Sequence, residues 1–336
     1  MLVQQKIRKG GQLMSHVKKI AALAVTLVMV ASAMPVTSFA ATYYNQWVQK
    51  SDGKWYYYDY YGKKVKYDSR QYFDSETGAY KYYVLNGKGA RVTSKGWYTT
   101  KYRYNSYYSK TKFTTKYYLK SDGACTIGWK KIKGKYYYFD TDGKLLTATT
   151  VKSTDGTKLY LVGNDGARIT KKGWYQVKYK YFRSSESKVY TEKCWYFVKT
   201  DKTVATGVKK IGGKKYLFND DGILVQNNIA SFHNEDYSKY TYYAADKNGK
   251  LITKKGKRTI SASFKYEGLN YKDEYKVKAT IYVKSGGKLF CGLKKISGKY
   301  YYFDPTMIRC GSRDVNGVRY FFGRSGACTK TVDLVT

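Results

Sequence analysis

The 336-residue sequence holds two prolines, and one of them, Pro35, falls within the first forty residues. A chain so poor in proline has almost nothing to interrupt strand pairing. Histidine is equally scarce. Beyond residue 40 only His233 is left, so a catalytic triad would rest on one imidazole in a variable segment. Five cysteines (Cys125, Cys194, Cys291, Cys310 and Cys328) show no CxxC pairing, and an odd number leaves at least one unpaired within the chain. Cys310 and Cys328, in adjacent segments, are the first pair to consider. Acidic residues number 24 against 63 lysines and arginines, giving a formal charge of +39 that favours polyanionic partners. No phosphate-binding loop and no zinc-ligand spacing is present.

Long apolar runs are missing too, with one exception. A basic segment containing Lys6, Arg8, Lys9, Lys18 and Lys19 precedes the apolar run Ile20–Met34, and Ser38-Phe39-Ala40 follows. That is the layout of a secretory signal peptide, and its apolar run is short for a membrane span. The expected division is therefore a signal peptide at 1–40, starting at Met1 or Met14, and an exported body at 41–336. That body keeps a formal charge of about +34 and has no further apolar stretch fit to cross a bilayer. Attachment to a cell would then be non-covalent.

Tyrosine is abundant, at 41 residues, and it is placed periodically. GWKKIKGKYYYFDTDGKLLT from Gly128 returns as GVKKIGGKKYLFNDDGILVQ from Gly207 and GLKKISGKYYYFDPTMIRCG from Gly292. A second unit ends in YYVLNGKGARVTSKG, LYLVGNDGARITKKG and YYAADKNGKLITKKG. A third, longer unit starts at Trp97, Trp174 and Lys257. The three make a composite unit of roughly eighty residues, and some eleven short units cover the chain after residue 40. Each reads as a β-hairpin: Trp129–Ile132, a turn at Lys133-Gly134, and Lys135–Asp140 returning. Asp52-Gly53, Gly212-Gly213 and Ser297-Gly298 are expected as sister turns, because glycine accepts positive φ. A twenty-residue hairpin cannot stand alone. The expected fold is all-β, a solenoid of stacked hairpins, several of them lengthened.

Alignment on the turn position after each return strand, glycine except at Lys202 and Met307, separates two faces. Six residues before it stands tyrosine in ten of eleven units, from Tyr56, Tyr83 and Tyr117 through Tyr137, Tyr160, Tyr196 and Tyr216 to Tyr320; Ile281 is the exception. Four before it the residue is always apolar or aromatic, as in Leu85, Phe139, Phe218 and Phe303. Residues two apart share a strand face, so this pair is expected to form an inward wall. The residues seven and five before the glycine swing between aromatic and lysine: Trp55 with Tyr57, Tyr136 with Tyr138, Trp195 with Phe197, Tyr300 with Tyr302, but Lys116 and Lys215 elsewhere. Here a binding surface is expected.

The pattern Gly-Trp-x4-Gly-x-aromatic-Tyr-Tyr-Phe-Asp-x-x-Gly, standing as Gly128-Trp129 through Gly134, Tyr136–Asp140 and Gly143, resembles the choline-binding and glucan-binding repeats of Gram-positive surface proteins. It is also similar to the carbohydrate-binding repeats of large clostridial toxins. The resemblance covers roughly residues 43–330. It implies a hairpin solenoid held to wall or surface polymers: teichoic acid, choline or glycan. It also implies cages of two tryptophans from one repeat and a ring from the next, which hold a quaternary ammonium by cation–π attraction. Trp47 with Trp55 and Trp174 with Trp195 match both tryptophans; Trp97 and Trp129 keep the first alone. Sugar stacking suits the tyrosine replacements better than a full set of choline cages. The candidate contacts are thus Trp47, Trp55, Tyr57, Trp97, Trp129, Tyr136, Tyr138, Trp174, Trp195, Phe197, Tyr300 and Tyr302.

Asp140-Thr141-Asp142-Gly143 and Asn219-Asp220-Asp221-Gly222 are turn sequences without the remaining oxygen ligands of a calcium loop. No catalytic constellation, metal or cofactor is expected. The function read from the sequence is that of a secreted, non-catalytic wall- or surface-polysaccharide-binding protein, non-covalently held at the cell surface. The alternative is a secreted lectin or adhesin for acidic host glycans. Basic grooves interleaved with aromatics also suit single-stranded nucleic acid, an unnatural partner for an exported chain.

Overall fold

The computed structural model describes residues 43–103, 112–183, 188–233, 239–265, 274–308 and 310–334. Asn45–Thr336 form one compact unit, the larger of two. The segment read as a signal peptide lies outside the described residues.

The fold of the larger unit is built from consecutive antiparallel hairpins. The first pairs Gln46–Gln49 with Trp55–Tyr58, the second Ser69–Asp74 with Ala79–Val84, and the third Gly96–Arg103 with Lys112–Leu119. The fourth pairs Gly128–Ile132 with Lys135–Phe139, the fifth Thr149–Lys152 with Leu159–Val162, and the sixth Gly173–Arg183 with Lys188–Val198. Gly207–Ile211 with Lys214–Phe218, Asn228–His233 with Tyr240–Ala245, and Gly256–Lys265 with Glu274–Val283 make the seventh to ninth. Gly292–Ile296 with Lys299–Asp304 and Gly311–Val315 with Val318–Phe322 follow, and a last strand, Cys328–Asp333, adds to the final pair. The third, sixth and ninth are the lengthened members. The one helical element among the described residues is the short 3-10 turn Ser285–Gly287. No helix among them is long and apolar enough to cross a membrane.

Turn chemistry follows the sequence with one exception. Lys133-Gly134, Gly212-Gly213 and Ser297-Gly298 each place two successive residues at positive φ, the type I′ geometry that matches strand twist. Asp52-Gly53 departs from the expected two-residue turn. Gln49 pairs with Trp55, so five residues span the gap, and only Gly53 has positive φ. The Asp52 carboxylate closes this wider loop by accepting from the Lys54 N–H at 3.0 Å and the Tyr56 hydroxyl at 2.6 Å.

Neighbouring hairpins are tied by a repeated backbone bond. In the second to ninth hairpins, after the return strand and its turn, one N–H donates to a carbonyl of the preceding hairpin. Arg91, Cys125, Leu145, Arg168, Val204, Leu224, Leu251 and Leu289 donate in turn to Trp55, Tyr82, Lys116, Tyr136, Leu159, Trp195, Lys215 and Tyr242, at 2.7–2.9 Å. The accepting residue is the one seven before the turn glycine, or, for Trp195, seven before Lys202, which takes the same positive φ. A side chain at Gly143 would run into Cys125 of the hairpin before it. The Asp140 carboxylate accepts from the Asp142 and Lys144 N–H groups, so it shapes the turn.

The core runs along the position four before the glycine: Leu85, Leu119, Phe139, Val162, Val198, Phe218, Ala245, Val283, Phe303 and Phe322 are all buried. The position six before it is not uniformly core. Tyr56, Tyr83, Tyr117, Tyr196 and Ile281 are buried, but Tyr137, Tyr160, Tyr216, Tyr243, Tyr301 and Tyr320 are half-exposed. The inward-wall expectation is corrected for those six and for Tyr58, the four-before residue of the first hairpin, which is half-exposed as well. Among the described residues no disulfide forms, and Cys310 and Cys328 remain separate.

Candidate ligand clefts between hairpins

The half-exposed Tyr137, Tyr160 and Tyr216, and the buried Tyr83, face the preceding hairpin's first strand. In that strand Trp47, Trp97, Trp129 and Trp174 sit directly opposite Tyr57, Tyr118, Tyr138 and Phe197. The cross-strand rings meet edge to face, with centroids 5.5, 5.3, 5.2 and 5.2 Å apart. Each tryptophan also meets the six-before tyrosine of the next hairpin: Tyr83 at 6.2 Å, Tyr137 at 5.1 Å, Tyr160 at 5.7 Å and Tyr216 at 5.0 Å. These angles run from 68° to 85°. Three rings thus form a corner at each junction, two from one hairpin and one from the next.

Junctions differ with a period of three hairpins. Where the tryptophan position is Ser69, Thr150 or Ile229, the next hairpin's residue is buried, as Tyr117, Tyr196 and Ile281 are. These junctions are dry. After each long hairpin the cleft gains a fourth wall: Phe139 lies 5.9 Å from Trp97, and Phe218 stacks 5.8 Å from Trp174. Here the indoles are most exposed, Trp97 at 43% and Trp174 at 36%. The Trp47 and Trp129 indoles are less exposed and donate N–H bonds to the next hairpin, to the Gln71 carbonyl at 2.7 Å and the Lys152 carbonyl at 3.1 Å.

The sequence-predicted residues divide accordingly. The structure brings Trp47, Tyr57, Trp97, Trp129, Tyr138 and Trp174 into clefts. Trp47 and Trp55 do not frame an open cage, because Tyr72 of the second hairpin inserts, 6.3 Å from Trp47 and 6.4 Å from Trp55. Phe197, expected on an outer surface, is 8% exposed beneath Trp174. Trp195 packs with it against Ala205, Phe218 and Leu224. Tyr136 and Tyr300 point away from the tryptophan position, each beside its cross-strand lysine, Lys131 and Lys295. Tyr302 meets Phe322 at 6.4 Å, with Leu293 in the tryptophan's place.

Sequence reasoning passed over Tyr137, Tyr160 and Tyr216 as cleft walls, having assigned them inward, and it missed Arg91 and Arg168; Tyr83 also meets a tryptophan but is buried as expected. The Arg91 guanidinium lies 3.5 Å from the Tyr83 centroid. That of Arg168 lies 3.4 Å from Tyr160 and 6.0 Å from Trp129. Burial raises the Tyr83 hydroxyl's pKa, so that phenol stays neutral. The arrangement can stack flat rings or hold cations over electron-rich faces. Among the described residues no group of His, Cys, Asp and Glu could hold a metal ion.

Comparison with known proteins meets this geometry. Residues 126–174, spanning the Trp129 cleft, match the choline-binding repeat model. Residues 209–224 and 292–306 match the cell wall binding repeat model. These are choline-binding-type repeats. Repeats of this type imply binding to the cell wall or cell surface. Among curated proteins, glucosyltransferase-S of Streptococcus mutans serotype c is 26% identical over 85% of this chain but 20% of its own length. Glucosyltransferase-I of Streptococcus downei is 26% identical over 84% of this chain and 22% of its own. The chain spans about a fifth of the length of these relatives. The crystal structure of choline binding protein F from Streptococcus pneumoniae aligns with 84% of this chain and 92% of its own, at 18% identity and a TM-score of 0.32.

Proposed function

We propose that the protein is a secreted, non-catalytic binder of cell-wall or surface polymers, and that its inter-hairpin aromatic clefts are the ligand contacts. Residues 41–336 are the binding body, exported by a signal peptide at 1–40. The supporting observation is the recurring corner of tryptophan, cross-strand ring and next-hairpin tyrosine, built four times on the same register. Aromatic faces stack on sugars or hold ammonium groups, while lysines neutralise polymer phosphates or carboxylates. Repetition supplies avidity that no single weak cleft has.

Sedimentation of the mature protein with purified Gram-positive walls tests this. Binding at low salt, with release by salt, choline or a competing glycan, is the expected result; no sedimentation at low salt overturns it. Retention on mucin without retention on walls would establish the lectin reading in its place.

A further inference from the structure

Resting on the reading that these clefts bind ligand, we infer that Arg91 and Arg168 are resident occupants that shut two of the four tryptophan clefts, leaving the Trp97 and Trp174 clefts to take ligand. The two arginines hold equivalent positions, bridging Leu85 and Val162 just after the turn glycine. Both guanidinium groups lie on the face of the six-before tyrosine at 3.5 and 3.4 Å. In both, Nε is buried without a hydrogen-bond partner among the described residues. A guanidinium nitrogen kept from water without a hydrogen bond is costly, and the ring face beside it is what offsets that cost.

Three further observations agree. First, tryptophan and arginine disappear together. Where the third copy of this junction has Val208 instead of tryptophan, the arginine position holds Leu251. Second, the clefts after the long hairpins carry Leu145 and Leu224 at that position. Among the described residues no cationic side chain lies over Tyr137 or Tyr216, and neither the Trp97 nor the Trp174 indole N–H has a hydrogen-bond partner. Third, the remaining long-hairpin junction shows what such a cleft accepts. Lys257 replaces the tryptophan there, its ammonium 4.9 Å from the Tyr301 centroid, while Lys294 lies 4.7 Å from Tyr282 and 5.0 Å from Phe290. The fold thus seats its own cations on the rings of three junctions and leaves two ring corners without one. An organic ammonium head group is the ligand chemistry those two corners fit.

Calorimetric titration of the full chain with choline chloride reads the number of open clefts directly. Two equivalents are expected. Arg91→Leu with Arg168→Leu, copying Leu145 and Leu224, is expected to raise the number above two, to three where Tyr72 keeps its place beside Trp47. An unchanged number in a folded double variant overturns the proposal. Trp97→Ala and Trp174→Ala supply a test that needs no arginine change: each should remove one equivalent. An unchanged number in a folded Trp97→Ala or Trp174→Ala variant also overturns it. A wild-type chain that sediments with walls yet binds no choline overturns this inference and leaves the wall-binding reading standing. A chain that binds neither overturns both.

Discussion

Tyr117 and Tyr137 occupy the same repeat position, yet one is buried and the other half-exposed. The difference lies in the hairpin before each. Ser69 is small enough for its hairpin to close over Tyr117, whereas the Trp97 indole holds Tyr137 at the mouth of a cleft. Phe139, two residues on, is fully buried. Phe139→Ala should therefore cost about 3–5 kcal/mol, and Tyr137→Ala clearly less, as thermal melts would show. Trp195, packed on Phe218 and Leu224, should also lose stability when truncated. Cys125 offers a separate check. Burial pushes its thiol up to about 12, so at pH 8 almost none is thiolate, the form that reacts. Alkylation of the native protein at pH 8, read by mass spectrometry, should modify exposed Cys310 and spare Cys125 until the chain is unfolded.

Hairpins were legible in the sequence because each element carries its own signals: β-prone residues, a period of two, and glycine where φ turns positive. What was not legible is a relation between elements. A cleft takes its tryptophan and cross-strand ring from one hairpin and its tyrosine and arginine from the next. Aligning repeats on one another hides that offset. GARV and GARI stood in plain view but looked like turn endings, since nothing within a single repeat puts the arginine over a ring. Asp52-Gly53 misled for a similar reason, as the loop length is set by the Gln49–Trp55 register. Contacts between elements also predict acid behaviour. Lys81 reaches Asp74 in its own hairpin at 2.8 Å and Asp122 in the next at 3.2 Å. Hydrogen bonding to Lys81 and Thr77 lowers the Asp74 pKa from 3.8 to about 2. A depressed carboxylate pKa stabilises the fold above 3.8, and that contribution is lost as pH falls from there through about 2. Carbon-detected NMR should place the Asp74 midpoint near 2. Lys81→Ala should move it toward 3.8 and bring acid unfolding to higher pH; a midpoint that stays put would show that Thr77 and the backbone hold the carboxylate alone. Gly143→Ala tests the stack itself: positive φ alone costs about 1–2 kcal/mol, and the new methyl meets Cys125.

At the scale of the whole molecule, the formal charge of +39 and the aromatic clefts act over different ranges. Charge draws the chain to a polyanion and weakens with salt, since screening sets in beyond about 10 Å at 0.1 M. Ring contacts are short-ranged and persist. Retention on walls should therefore fall with salt at first and then level off, and the residue left at high salt should be released by a cleft ligand. If the Trp97 and Trp174 clefts engage one polymer together, the second contact forms within an already bound complex, and linkage of this kind raises affinity by about 10²–10⁴. Trp97→Ala alone should then speed dissociation from immobilised wall polymer by about a hundredfold at high salt, not twofold. Adding Trp174→Ala should leave little salt-resistant binding to lose. A twofold effect of the single change would mean that the clefts act independently and that charge supplies the retention.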